Sequence, residues 1–199
     1  MPDMRARGFT LIELMVTLAV AAIVISMAVP SFQSVINGNK LTAAANEMIA
    51  SLQLARMEAI RRNARAGVCA STNTQEGEDA TCASAGMDGW ITFVDANGDG
   101  DFDTVGDSLL RTALVDDAVV LTASPAIGGN TIMFRPDGMA RDEDSGSGPG
   151  TGLLDAVLRF CIPTRHPVEN ARDLEIGSGS RVAVGKFDGG GACDAPDDP

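Results

Sequence analysis

Gly8-Phe9-Thr10-Leu11-Ile12-Glu13-Leu14 leads into an uncharged, mostly apolar run that ends at Val29, and a short leader carrying Arg5 and Arg7 precedes it. From Phe9 to Val29 a helix would measure about 31 Å at ~1.5 Å per residue, enough to cross the hydrocarbon core of a bilayer. The arginines on its N-terminal side predict a leader held in the cytoplasm and an exported remainder. Glu13 is the one charge in the stretch. A carboxylate there costs about 2.5–3.5 kcal/mol on insertion scales, and a buried charge is tolerable only with a partner. An ordinary signal peptide fits poorly, because its small-residue cleavage site follows the apolar stretch, whereas Gly8 stands before it.

Downstream, Pro30 is expected to interrupt the helix and bend it. Leu41, Ala44, Ala45, Met48, Leu52, Ala55 and Ala59 then recur at helical spacing, with Lys40, Glu47, Gln53 and Arg61 on the opposite face. These patterns predict one long N-terminal helix over residues 9–65, membrane-spanning over 9–29 and ending near Asn63 to Gly67. Its second half should pack along one face onto a domain formed by residues 66–199. About 130 residues lie outside the helix, enough for one modest core.

That remainder breaks into short β-prone runs separated by Gly, Asp, Asn and Pro. The expected strands are Ala66–Ala70, Gly89–Val94, Ser108–Leu114, Val119–Thr122, Thr131–Phe134, Ala156–Ile162, Asp173–Ile176 and Arg181–Phe187. Strands following one long helix indicate an α+β fold, a helix packed on an antiparallel sheet. Trp90, Phe93, Phe134 and Phe160 are the expected large core residues. Asn73–Asp88 and the Ser/Gly-rich Asp142–Gly152 read as mobile, and the acidic tail Cys193–Pro199 has little to bury.

Cys69, Cys82, Cys161 and Cys193 all follow the apolar stretch. An even count in an oxidising compartment suggests disulfides, with three connectivities open. Cys69 with Cys82, closing a short polar loop, and Cys161 with Cys193, tying the tail to a strand, are the favoured pairs. Zinc is a poor alternative, because no C-x-x-C spacing occurs and His166 is the sole histidine. Formal net charge is −12, which argues against a general polyanion-binding surface.

Asp95, Asn97, Asp99, Gly100 and Asp103 follow the D-x-N-x-D-G spacing of a calcium loop. The closing acid is out of step, with Gly106 at position twelve and Asp107 one beyond. A solvated hairpin turn, where Asn-Gly and Asp-Gly are favoured, is the stronger reading. No P-loop, dinucleotide fingerprint or catalytic constellation stands out, so neither an enzyme nor a resident cofactor is expected.

The run from Gly8 to Leu14 resembles the class III signal of type IV prepilins and pseudopilins. The resemblance implies that residues 1–8 are a leader removed by a prepilin peptidase, which cuts after Gly8 and methylates the new N-terminal Phe9. Loss of the leader would take the net charge from −12 to −13. It also implies that Glu13 pairs with the N-terminal amine of a neighbouring subunit during assembly. Within that class, three stretches are similar to the GspH/FimT family of minor pilins and pseudopilins: Gly89–Gly100, the basic helix end Ala55–Arg62, and Ile132–Gly138. The family's fold agrees with the α+β expectation. Its role implies a minor pilin that helps prime a type IV pilus, with other major and minor pilins as partners. The alternative is a type II secretion pseudopilin, and either would start in the bacterial inner membrane with its domain in the periplasm. Some members bind DNA through a Gly-Arg-x-Arg motif, but here Gly179-Ser180-Arg181-Val182-Ala183 keeps one arginine of the pattern. Lys186 is close yet alternates differently along a strand, so Arg181 and Lys186 make a weak DNA-contact pair.

Overall fold

A computed structural model describes residues 9–83, 87–143, 149–177 and 179–199. Gly8 and the rest of the leader therefore lie outside the described residues. Helix α1 (Leu11–Arg62) has 52 residues, about 78 Å at ~1.5 Å per residue. Thr10 caps it, its Oγ1 accepting from the Glu13 N–H at 3.3 Å. Pro30 lies inside α1, which runs on through it. A single missing hydrogen bond therefore bends the rod at most and does not interrupt it. The helix ends at Arg62, three residues before Arg65. Asn63 turns left-handed at φ 48° and caps the carbonyls of Ala59 and Ile60.

The two halves of α1 differ in what covers them. Leu41, Ala45, Met48, Leu52, Ala55 and Ala59 form a buried stripe, whereas the side chains from Phe9 to Ser26 are exposed. The stripe packs chiefly on β1 (Arg65–Ser71) and β2 (Gly89–Asp95). These belong to a six-stranded sheet completed by β3 (Ser108–Leu114), β5 (Thr131–Phe134), β6 (Ala140–Glu143) and β7 (Pro149–Leu153). Its order is β3-β2-β1-β5-β6-β7, paired antiparallel throughout. A second antiparallel sheet has the order β10-β9-β8-β4, from β4 (Val120–Ala123), β8 (Ala156–Cys161), β9 (Ala171–Gly177) and β10 (Arg181–Phe187).

Trp90 joins the three layers. Its indole N–H donates to Ser51 Oγ on the helix at 2.9 Å, and its ring meets Phe160 of the second sheet edge-on at 6.2 Å. Phe134 belongs to the same cluster. Phe93 instead faces the other side of the first sheet, with Ile91, Phe102, Met133 and Cys69. Strand β2 is thus buried on both faces, which explains its near-continuous apolar sequence. A Cβ at Gly89 would overlap the carbonyl of Ala113 on β3. Gly89→Ala is therefore expected to destabilise the domain by about 1–3 kcal/mol, read as a lowered urea midpoint at unchanged slope.

Two stretches read as mobile contain regular structure among their described residues, which leave out residues 84–86 and 144–148. Strands β6 and β7 pair Glu143 with Pro149 within the Ser/Gly-rich segment and Arg141 with Leu153 at its flanks. Such composition carries no period-2 signal, so the pairing comes from the backbone and from Leu154, buried just beyond. In Asn73–Asp88, a 3-10 turn spans Thr74–Asp79. Asn73 holds this stretch together, accepting from the Thr81 N–H at 2.9 Å and donating to Glu76 and the Asp79 carbonyl.

The tail is also tied down. The Cys161–Cys193 bond fixes it to β8, Arg159 donates to the Asp194 carbonyl, and Asp198 accepts from the Ala126 N–H. Cys69 and Cys82 form the other disulfide.

Candidate functional site

The membrane-length half of α1 presents its apolar side chains outward. Phe9 is 82% exposed and Leu11 77%, and the most hydrophobic window of the helix contains no buried residue. Among the described residues nothing in this chain covers them. Glu13 is exposed in the first turn, where the partial positive charge of the helix N-terminus favours an anion. Its carboxylate has no partner within the described chain. An apolar rod with one acid near its start calls for lipid or other helices around it, and the described residues supply no cation for that acid.

A brace outside this segment holds the rod to the domain. Lys40 Nζ donates to Asp116 Oδ1 at 2.8 Å. That bond, and next the Ala118 N–H, hold the Asp116 carboxyl below the ordinary aspartate range. With the folded pKa below the unfolded one, the contribution is complete above the unfolded value and lost as pH falls through the folded one. The pair is partly exposed, so its worth is under about 1 kcal/mol. An NMR titration should show Asp116 protonating below the ordinary aspartate range, and Lys40→Met should move it most of the way back.

The acidic turn lies at the opposite end of the domain. Asp95 pairs in register with Arg65, just past the end of α1, about 33 Å along the axis from Lys40 at ~1.5 Å per residue. Its side chain is fully buried and contacts the Arg65 Nε at 3.1 Å. It also accepts from the Gly98 and Gly100 N–H groups at 2.5 and 3.1 Å. Both glycines have positive φ, 85° and 93°, a conformation that costs glycine little. Oxygens of Asp95, Asp99 and Asp107 come within 4.8 Å of one another. Asp107, one residue late by spacing, enters this group in place of Asp103, its carboxylate bonding the Ala96 and Asp103 N–H groups. Asn97 turns its amide N–H toward Asp99 and Asp103 and uses its oxygen on the Asp99 N–H. The donor set therefore fits a cation only partly, because Arg65 already supplies positive charge at Asp95 and Asn97 offers hydrogens.

Arg181 and Lys186 do not converge. They stand at the two ends of β10, five residues apart and so on opposite faces, and Lys186 approaches Glu169 at 3.9 Å. Sequence reading missed the Arg159–Asp173 pair at 2.7 Å, over which the Phe187 ring sits 3.7 Å from the guanidinium. These two residues are opposite in the β8–β9 register. That pairing exists only once the register is known.

The exposed apolar half-helix, the helix-on-sheet domain and the two disulfides define a type IV pilin-like subunit. Residues 3–29 match the model of the prokaryotic N-terminal methylation motif, and residues 44–182 match that of type II transport protein GspH. The second match covers well over half of the chain, which belongs to the GspH family. A comparison with curated protein sequences gave no match. Among solved structures, the chain is similar to the type IV minor pilin FimU of Pseudomonas aeruginosa (strain PAO1) in two crystal forms. One shows 17% identity over 74% of this chain and 89% of that one, with a TM-score of 0.47. The other shows 16% identity over 73% and 92%, with a TM-score of 0.45.

Proposed function

We propose that this protein is a minor pilin of a type IV pilus, incorporated through α1 and helping to start the fibre. The uncovered apolar half-helix with its unpaired Glu13 carries the reading. Before assembly the segment Phe9–Val29 sits in the inner membrane with the domain in the periplasm. After a prepilin peptidase removes the leader, the same surface moves into a bundle of neighbouring pilin helices. There Glu13 gains the N-terminal amine of another subunit, offsetting the cost of burying it. The role needs no catalysis and no cofactor, and the separation of Arg181 from Lys186 argues against DNA as a partner. A pseudopilin of a type II secretion system would use the same helix in the same way. Two disulfides and a braced acidic turn at the membrane-distal end suit a subunit displayed outside the cell, which favours the pilus.

Deletion of the gene tests this, scored in parallel for surface pili and for secreted protein. Lost pili with normal secretion supports the minor pilin. Lost secretion with normal pili would make it a pseudopilin. Loss of DNA uptake alone would replace both with a binding role.

A further inference from the structure

The four-stranded sheet ends in two free edges, β4 and β10. Ser124, the residue after β4, donates its backbone N–H to the Val157 carbonyl at 2.9 Å. Hydrogen-bonded and non-bonded pairs alternate along an antiparallel ladder. Val120 and Thr122 therefore bond toward β8, while Leu121 and Ala123 aim their N–H and C=O groups out of the sheet edge. Carried through the β8–β9 and β9–β10 registers, the same alternation leaves Val182, Val184 and Lys186 aiming theirs out of β10. Leu121 and Ala123 lie across from the buried Phe160 and Leu158, and Val182 and Val184 across from the buried Ile176 and Leu174. Both edges thus offer backbone groups at residues of the core-facing side.

The β4 edge borders a slot of about 420 Å³, walled by Met48, Val68, Ala70, Trp90 and Ile132 and lined also by Asp117. Strand β10 is exposed along nearly all its length, with Val184 44% exposed.

We infer that β10 of a second copy seats on β4, Val184 beside Leu121 and Val182 beside Ala123, so that the sheet continues from one subunit into the next. Direction, phase and charge agree on this register. With four antiparallel strands, β4 and β10 run in opposite senses, so two copies held the same way up meet antiparallel. The inference rests on the reading of α1 as a membrane anchor, which holds them so. The domain is fixed to that anchor by the Lys40–Asp116 pair and by the Asn37 amide, which donates to the His166 carbonyl at 2.8 Å. In phase, the core-facing residues of one edge meet those of the other, donors opposite acceptors, and the two valines enter the slot. Lys186, on the core-facing side, comes opposite Val119, two residues from the slot-lining Asp117. Arg181, on the outer side, comes opposite Ser124, near the tail's Asp198, which accepts from the Ala126 N–H. Asp117 and Arg181 have no ion-pair partner among the described residues, and Lys186 only approaches Glu169 at 3.9 Å. A second copy is favoured over an unrelated strand because this chain's other edge supplies matching apolar residues between two cations. The contact is head-to-tail and does not close on itself, and confinement to one membrane raises the effective concentration that a short strand pairing needs.

The test reconstitutes two full-chain variants, Thr122→Cys and Ala183→Cys, separately and mixed, in liposomes of phosphatidylethanolamine and phosphatidylglycerol, followed by oxidation. The register makes these positions a non-hydrogen-bonded pair with Cα atoms ~4.5 Å apart. The mixture should give at least about fivefold more disulfide-linked dimer on a non-reducing gel than either variant alone, because like positions stand beyond the ~7 Å reach of a disulfide. Asp117→Lys in the Thr122→Cys copy should remove most of that dimer, and Lys186→Glu added in the Ala183→Cys copy should restore it. Flotation with the liposomes reports anchoring on its own, and protein left behind would overturn the membrane reading and with it the shared orientation. Anchored protein whose mixture gives no more dimer than either variant alone refutes the edge contact. Dimer that both charge changes leave untouched overturns the assigned register.

Discussion

Glu13→Leu is expected to leave the protein in the membrane at normal levels while its recovery in sheared fibres falls by about a hundredfold. The size follows from the cost of a carboxylate in an apolar helix, about 2.5–3.5 kcal/mol, at a factor of ten per ~1.4 kcal/mol. A partner in the fibre that repays this cost for Glu13 gives nothing to leucine. The substitution should even ease insertion, so lower membrane content would point to misfolding instead. Glu13→Gln keeps the shape and one acceptor without the charge, and should fall between wild type and leucine. Quantitative immunoblots of fibre and membrane fractions read all three. Equal recovery of the leucine variant would mean that Glu13 merely rests at the interface, and the assembly role assigned to it would fall.

Much of the fold was legible because its signals are local. Strands β3, β5 and β10 begin and end where alternation and turn residues place them. The buried stripe from Leu41 to Ala59 is visible as helical spacing alone. Trp90, Phe93, Phe134 and Phe160 are all buried, and the odd spacing of Trp90 and Phe93 on β2 already puts these two on opposite faces of the sheet, in different clusters. The misses share a cause, since each depends on contacts distant in sequence. Strands β6 and β7 are held by pairing rather than by apolar content. The tail's fastening needs Arg159 and Ala126 brought beside it. In the acidic turn, spacing picked Asp95, Asn97, Asp99 and Asp103. It could not show that Arg65, thirty residues upstream, already lies against Asp95. The lower end of the domain was least legible, because Asn37 and His166 are 129 residues apart.

Asp95 carries the second large effect. Its side chain is fully buried and serves Arg65 and two backbone N–H groups at once. Asp95→Ala would strand a mostly buried guanidinium and leave the Gly98 and Gly100 amides unpaired. Breaking a buried pair from one side costs about 3–5 kcal/mol, on the order of 10 °C in Tm for a domain of this size. Asp95→Asn keeps one acceptor and should lose less. The double variant Arg65→Met, Asp95→Ala should recover part of the loss by removing the stranded charge, but not the part owed to the two amides. Circular dichroism melts of the full chain in detergent, run with EDTA and with calcium, separate the two readings of this turn. If Arg65 supplies the charge, wild type melts alike in both and Asp95→Ala melts lower in both. If the aspartates were arranged for a cation, their mutual repulsion would dominate in EDTA. Removing one would then raise the EDTA melting temperature, and calcium would raise that of wild type alone. That pattern would replace the internal ion pair with a metal site.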